Sequence, residues 1–134
     1  MTTVIFACVH NAGRSQIAAA LFNAQADRSQ ARATSAGTAP GPRVHPEVVD
    51  VMRASGFDLS TQVPQLLTDE LAREAQWLIT MGCGDQCPVI PGIHRDDWPI
   101  PDPKGQPPER VRAIKADIET RVRAFIDEQG WTRR

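Results

Sequence analysis

Cys8 and Arg14 close the two ends of the segment Cys8-Val9-His10-Asn11-Ala12-Gly13-Arg14-Ser15. A thiol and a guanidinium on one short glycine-containing loop are the groups needed to hold an oxyanion and attack it. The N–H groups of such a loop converge on one spot, and a helix opening there adds a dipole that favours an anion. Arg14 can grip two oxygens at once. The same positive field favours the thiolate of Cys8, which is the nucleophilic form. Gly13 lets the backbone curl tightly. Ser15 is placed to donate a hydrogen bond to the sulfur, which helps it leave later. The oxyanion cradle is therefore expected from Val9, His10, Asn11, Ala12, Gly13, Arg14 and Ser15. The His10 ring is expected to pack on the loop or meet solvent rather than do chemistry.

One Cys and one Arg at this spacing are a weak signal alone, because a buried Cys at a strand end and a solvated Arg on a helix look the same. The flanking elements sharpen it. Thr3-Val4-Ile5-Phe6-Ala7 is a continuous apolar run, as in a parallel strand buried on both faces. An Ala-rich stretch from Ser15 to about Asp27 carries Ile17, Leu21 and Ala24 at helical spacing. Ala31 to Ala36 reads as a second strand closed by Gly37. Pro46 starts a helix through Val48, Val49, Val51 and Met52 that stops at Gly56. Thr68 is the expected N-cap of a short helix to Glu74. Residues 76–81 read as a third strand, and Trp98 as the end of a fourth. Val111, Ile114, Ile118, Val122 and Phe125 form one stripe on a long last helix. Strands alternating with helices predict an α/β class: three layers, a parallel sheet of about four strands, and helices on both faces. Ligands then bind at the carboxyl ends of the strands, where Cys8 stands.

The rest of the composition narrows the field. The 134 residues are 41% hydrophobic and 23% charged, which predicts one soluble domain spanning 1–134. Fifteen Lys and Arg balance sixteen Asp and Glu for a net charge of -1, so no nucleic-acid partner is expected. No apolar run is long enough to predict a membrane span, and Met1 to Val9 reads as a strand rather than a signal peptide. Three Cys is an odd number and argues against a secreted disulfide framework, so a cytoplasmic location is expected. Cys83 and Cys87 lie in a Gly/Pro-rich stretch from Gly82 to Gly92. They are half of a zinc pattern, but no complete four-ligand set accompanies them, and no metal is expected. No G-x-G-x-x-G motif is present, so no bound flavin or nicotinamide is expected.

Five segments together carry a family resemblance: CVHNAGRSQ after VIFA, SAGT at 35–38, GFDLS at 56–60, TMGCGDQCP at 80–88 and DWPIPDPKGQP at 97–107. In this order and over nearly the whole chain, the sequence resembles the low-molecular-weight protein tyrosine phosphatase fold, and within it arsenate reductases. That resemblance implies attack of Cys8 on arsenate to form a covalent adduct, with Asp102 protonating the departing oxygen. It implies thiols as the electron source: Cys83 attacks the Cys8 sulfur, arsenite leaves, and Cys87 then moves the disulfide to Cys83–Cys87. Thioredoxin would reduce that disulfide by exchange. Phosphate and sulfate, near-isosteres of arsenate, are expected to compete for the loop.

Other readings within the same resemblance stay open. A small thiol such as mycothiol could resolve the adduct with Cys8 as the only essential Cys. Phosphatases of the fold usually carry Tyr after the Asp-Pro pair, whereas Lys104 and Gly105 follow here. A redox or metal-sensing module using Cys83 and Cys87 would leave Cys8 dispensable. The spacing between the second and third Cys is shorter than in many thioredoxin-coupled members. Some members bind potassium through the loop Asn and a Glu on the next helix; Asn11 is present, but Ala19 stands at the Glu position.

Overall fold

The computed structural model describes residues 1–82 and 91–133. Among the described residues, four strands and four helices follow one another as β1 (Thr2–Cys8), α1 (Arg14–Gln25), β2 (Ala31–Gly37), α2 (Pro46–Ala54), α3 (Asp69–Arg73), β3 (Trp77–Thr80), β4 (His94–Asp97) and α4 (Pro108–Gln129). All strand pairs are parallel, in the order β2-β1-β3-β4. The chain first steps from β1 to one side and then crosses to the other. The strand order therefore reverses beside β1, which opens a crevice at its carboxyl end. Cys8 is the last residue of β1 and sits at that crevice.

β1 is apolar throughout because both of its faces are covered. Val4, Phe6 and Cys8 point into a large core with Ile17, Leu21 and Phe22 of α1, Val48 and Met52 of α2, and Ile114 and Ile118 of α4. Ile5 and Ala7 point the other way, onto Leu67, Ala72 and Leu78 beside α3. The side-chain period of two in a strand produces this division. Three helices thus cover one face and the short α3 the other, which is the expected three-layer α/β class. Among the described residues no helix is long and apolar enough to cross a membrane.

Boundaries differ slightly from expectation. α1 begins at Arg14 rather than Ser15. It ends at Gln25 rather than near Asp27, because Ala26 turns extended (φ -77, ψ 151) and bridges to Thr132. α2 ends at Ala54, and Gly56 follows at φ +91 as the expected stop. Thr68 caps α3 as expected, its hydroxyl accepting from Leu71 N at 3.0 Å. Trp98 lies one residue beyond β4, buried against Phe6 and Phe125 with ring centroids 5.6 and 6.2 Å away.

Phe22 ties the two long helices together. Its ring meets Phe6, Phe125 and Trp131 at centroid distances of 5.9, 6.2 and 6.0 Å and is fully buried. Truncation here leaves a cavity between α1 and α4 that rigid rings cannot fill. Phe22→Ala is expected to lower unfolding stability by about 3–5 kcal/mol, read from the shift of the urea midpoint at unchanged slope.

Candidate active site

The loop between β1 and α1 is built by where its carbonyls go. Cys8 O accepts from Thr38 N at 3.2 Å, Val9 O from Ala39 N at 2.8 Å and His10 O from Gly41 N at 2.9 Å. Asn11 O accepts from Gln16 Nε2 at 3.1 Å, Ala12 O from His45 N at 2.9 Å and Gly13 O from Ile17 N at 3.0 Å. Six consecutive carbonyls are thus held by α1 and by the connection between β2 and α2. Among the described residues, no hydrogen bond uses the N–H groups of residues 9–14. Carbonyls anchored on one side leave the amide dipoles facing the other, which is the arrangement that binds an anion. The turn requires a left-handed residue, supplied by Asn11 at φ 52, a residue type that tolerates that conformation. α1 also carries no acid in its first turn, whereas α2, α3 and α4 do. A carboxylate there would compete with any bound anion.

The side chains under the loop form one network. Gln65 N donates to Asn11 Oδ1 at 2.9 Å, and a backbone N–H has no other option. That orients the Asn11 carboxamide, so Nδ2 donates to Ser15 Oγ at 2.8 Å. With its oxygen accepting from Asn11, Ser15 has its own hydroxyl proton free for Cys8 Sγ, 2.9 Å away. Either atom can donate while Cys8 is a neutral thiol; to the thiolate, which has no proton, Ser15 is the donor. The donation is strongest to a thiolate, since hydrogen bonds to a charged partner are the stronger ones. Cys8, Asn11 and Ser15 are all buried, so nothing from solvent competes with these bonds.

Arg14 lies across the crevice. Its Nη1 donates to Ile100 O at 3.1 Å, and its Nη2 lies 3.9 Å from Asp102 Oδ2. The guanidinium is 11% exposed and the carboxylate 44%. Asp102 is held by its own turn, Oδ1 accepting from Lys104 N at 3.0 Å. The structure thus pairs Cys8 with Ser15 and Arg14 with Asp102, and Arg14 and Ser15 are the first two residues of α1. Cys83 and Cys87 lie outside the described residues. Gly82, bonded to Cys83 in the chain, follows β3 at φ +87, and a Cβ on it would overlap Arg14 Nη1. A side chain on Gly13 would press Pro103 Cγ at 2.9 Å. Glycine at these two positions lets the β3 and Asp102 segments close on the loop.

Beside the loop is a hollow of about 260 Å³ lined by His10, Arg43, His45 and Lys104 with Gly41 and the two flanking prolines. Its lining is cationic and carries no aromatic hydrocarbon ring. Burial holds the His45 imidazole below its ordinary value, with Lys104 and His10 pushing the same way against Glu47 and Asp102. His10 is half-buried and faces this hollow.

The sequence pattern did not single out Gln16, His45 or Gln65, and it marked Gly37 only as the close of a strand and Gly82 only as part of a Gly/Pro-rich stretch. Gly37 backs the loop: a Cβ there would lie 2.5 Å from Val9 O and 2.9 Å from Asn11 N. The SAGT segment carried a signal for Gly37. Gln65 acts through its backbone, which no residue type reveals, and Gln16 looked like one more polar helix residue.

Residues 3–131 match the low molecular weight phosphotyrosine protein phosphatase family. The chain belongs to that family. A protein of Halobacterium salinarum is 41% identical over 128 residues, covering 92% of this chain and 89% of its own length. The glutaredoxin arsenate reductase of Synechocystis is 32% identical over 130 residues, covering 94% of this chain and 97% of that protein. The thioredoxin-dependent arsenate reductase of Corynebacterium glutamicum superposes with a TM-score of 0.81 at 38% identity, over 96% of this chain. This chain spans 61% of that protein's length. Within the family, the similarity therefore runs to arsenate reductases.

Gly82→Ala places a methyl group on Arg14 and forces a left-handed alanine. Inorganic phosphate affinity is expected to fall about tenfold or more through loss of the charged hydrogen bonds, while the fold survives a penalty of about 1–2 kcal/mol. Calorimetric titration with phosphate, beside thermal melting, checks both.

Proposed function

We propose that this chain reduces arsenate to arsenite, with Cys8 as the nucleophile and thiols as the electron source. The observation that carries the reading is a buried sulfur at the start of a loop whose six carbonyls are all anchored, with Ser15 Oγ 2.9 Å from it and Arg14 at the loop's other end. The Cys8 thiolate attacks arsenic, and Asp102 supplies the proton for the departing oxygen as water. Asp102 lies 3.9 Å from Arg14 and stands half-exposed, where it can regain a proton from solvent. The N–H groups and Arg14 hold the remaining oxygens and the charge that builds on them.

Reduction needs a second thiol. Cys83 attacks the Cys8 sulfur, the sulfur–arsenic bond breaks, and its electron pair stays on arsenic, which passes from As(V) to As(III). The two thiols become the Cys8–Cys83 disulfide. Cys87 attacks Cys83, releases Cys8 as a thiol, and leaves Cys83–Cys87 for an external dithiol such as thioredoxin. Support for a dithiol donor is the likeness to the Corynebacterium glutamicum protein. The Synechocystis relative, named for glutaredoxin, favours a second reading in which a glutathione-type small thiol or glutaredoxin resolves the adduct and only Cys8 is essential.

Hydrolysis of phosphotyrosine fits less well. The chain has no tyrosine. Its Phe6, Phe22, Phe125, Trp98 and Trp131 rings are buried in the core, and the hollow beside the loop is cationic. A small inorganic oxyanion suits such walls better than an aromatic ester.

Cys8→Ser is expected to abolish arsenate-dependent consumption of reductant, with phosphate competing against arsenate in the wild type. Retained turnover in Cys8→Ser would end this reading. A separate assay settles the donor. With thioredoxin, Cys83→Ser is expected to lose turnover by about a hundredfold or more, as for loss of an essential nucleophile. Full turnover of that variant with thioredoxin would remove the three-cysteine relay, and full turnover only with a small thiol or glutaredoxin would establish the second reading.

A further inference from the structure

Gln16 occupies the third position of α1, where a capping box would place a Glu or Gln whose oxygen covers the N–H groups of the helix start. Here the carboxamide works in the opposite sense. Its Nε2 donates to Asn11 O at 3.1 Å, with a longer contact to Asn11 Oδ1 at 3.4 Å. A carbonyl can only accept, so Nε2 must be the atom that faces it. The side chain is 5% exposed, and no other hydrogen-bond donor among the described residues reaches that carbonyl. The Asn11 peptide is the one in left-handed conformation, and among the described residues its carbonyl is the only one from Cys8 to Gly13 held by a side chain rather than by a backbone N–H.

We propose that Gln16 is a positioning residue for the nucleophile. Its carboxamide keeps the Asn11 carbonyl turned outward and crowds the Asn11 Oδ1 side with donors, so Asn11 Nδ2 stays on Ser15 and the Ser15 proton stays on Cys8 Sγ. It also supports the helix start with a neutral group that leaves the N–H groups open to an anion. The inference rests on Cys8 being the reactive thiol of the proposed function, but not on arsenate being its substrate.

Replacing the carboxamide by a carboxyl separates positioning from mere packing. In Gln16→Glu the protonated acid can still donate to Asn11 O. The ionised acid has no donor. It sets negative charge against two oxygens and draws Asn11 Nδ2 away from Ser15. The hollow of about 170 Å³ beside Gln16 is lined by Ala19, Ala20, Asn23, Ser35, Leu59 and Gln62 among others, and no ionisable side chain lines it. No cation there would offset the carboxylate, and burial raises a carboxyl above its ordinary value of about 4.3.

The test is the rate of Cys8 alkylation by iodoacetamide in the full chain, followed by mass spectrometry of the Cys8 peptide across pH and normalised to wild type. Gln16→Glu is expected to react nearly like wild type at acid pH and to fall about tenfold behind it as pH rises through the carboxyl titration. Gln16→Met, similar in shape without a donor, is expected to lag by about tenfold at every pH. Thermal melting verifies that each variant is folded; if Gln16→Met is not, the pH course of Gln16→Glu decides. A Gln16→Glu ratio that stays flat with pH, whether near wild type or uniformly reduced, overturns the proposal. Failure of arsenate turnover with an intact alkylation pattern would count against the substrate and leave Gln16 standing.

Discussion

The structure depends on the direction of six peptide groups. Between Cys8 and Gly13 every carbonyl is tied to something behind the loop, so the N–H groups face the crevice. Peptide dipoles fixed in advance need no reorganisation when charge arrives, which is why such cradles stabilise anions and developing negative charge. Four of the anchoring donors are the backbone N–H groups of Thr38, Ala39, Gly41 and His45. The irregular connection from β2 to α2 is therefore the mould in which the loop is cast.

Close approach makes that mould possible. The β2 end touches the loop at Gly37, the β3 end touches Arg14 at Gly82, and Pro103 settles on Gly13. At each contact the absent side chain is what lets two backbones, or a backbone and a functional group, meet. The strand order β2-β1-β3-β4 brings these segments to the end of β1 from both sides. The sheet does not take part in the chemistry, but its reversal point decides which loops can.

Charge at the mouth is separated from charge on the whole. The chain is nearly neutral, at -1, yet the cations Arg43 and Lys104 gather with the imidazoles of His10 and His45 around one hollow beside the loop. Asp102 is the acid set among them, 3.9 Å from Arg14 and restrained by its turn to Lys104. The sulfur of Cys8 is buried, whereas the Asp102 carboxylate is half-exposed.

The chain's own residue pattern determined the α/β class, most element positions, the place of Cys8 at the end of the first strand, and the family. Those follow from local causes: apolar runs, helical stripes, a cap at Thr68, and a motif contiguous in sequence. Helix ends near Ala26 were less legible, because a distant strand-like bridge to Thr132 sets them. Tertiary structure alone decided the direction of the Asn11–Ser15 hydrogen bond, since a backbone N–H fifty-four positions away at Gln65 orients the Asn11 amide. It also decided the role of Gly82 against Arg14 and the work of Gln16 on the Asn11 carbonyl. Each of these depends on which groups become neighbours in space. A residue type records what an atom can donate or accept, and only the folded backbone assigns it a partner.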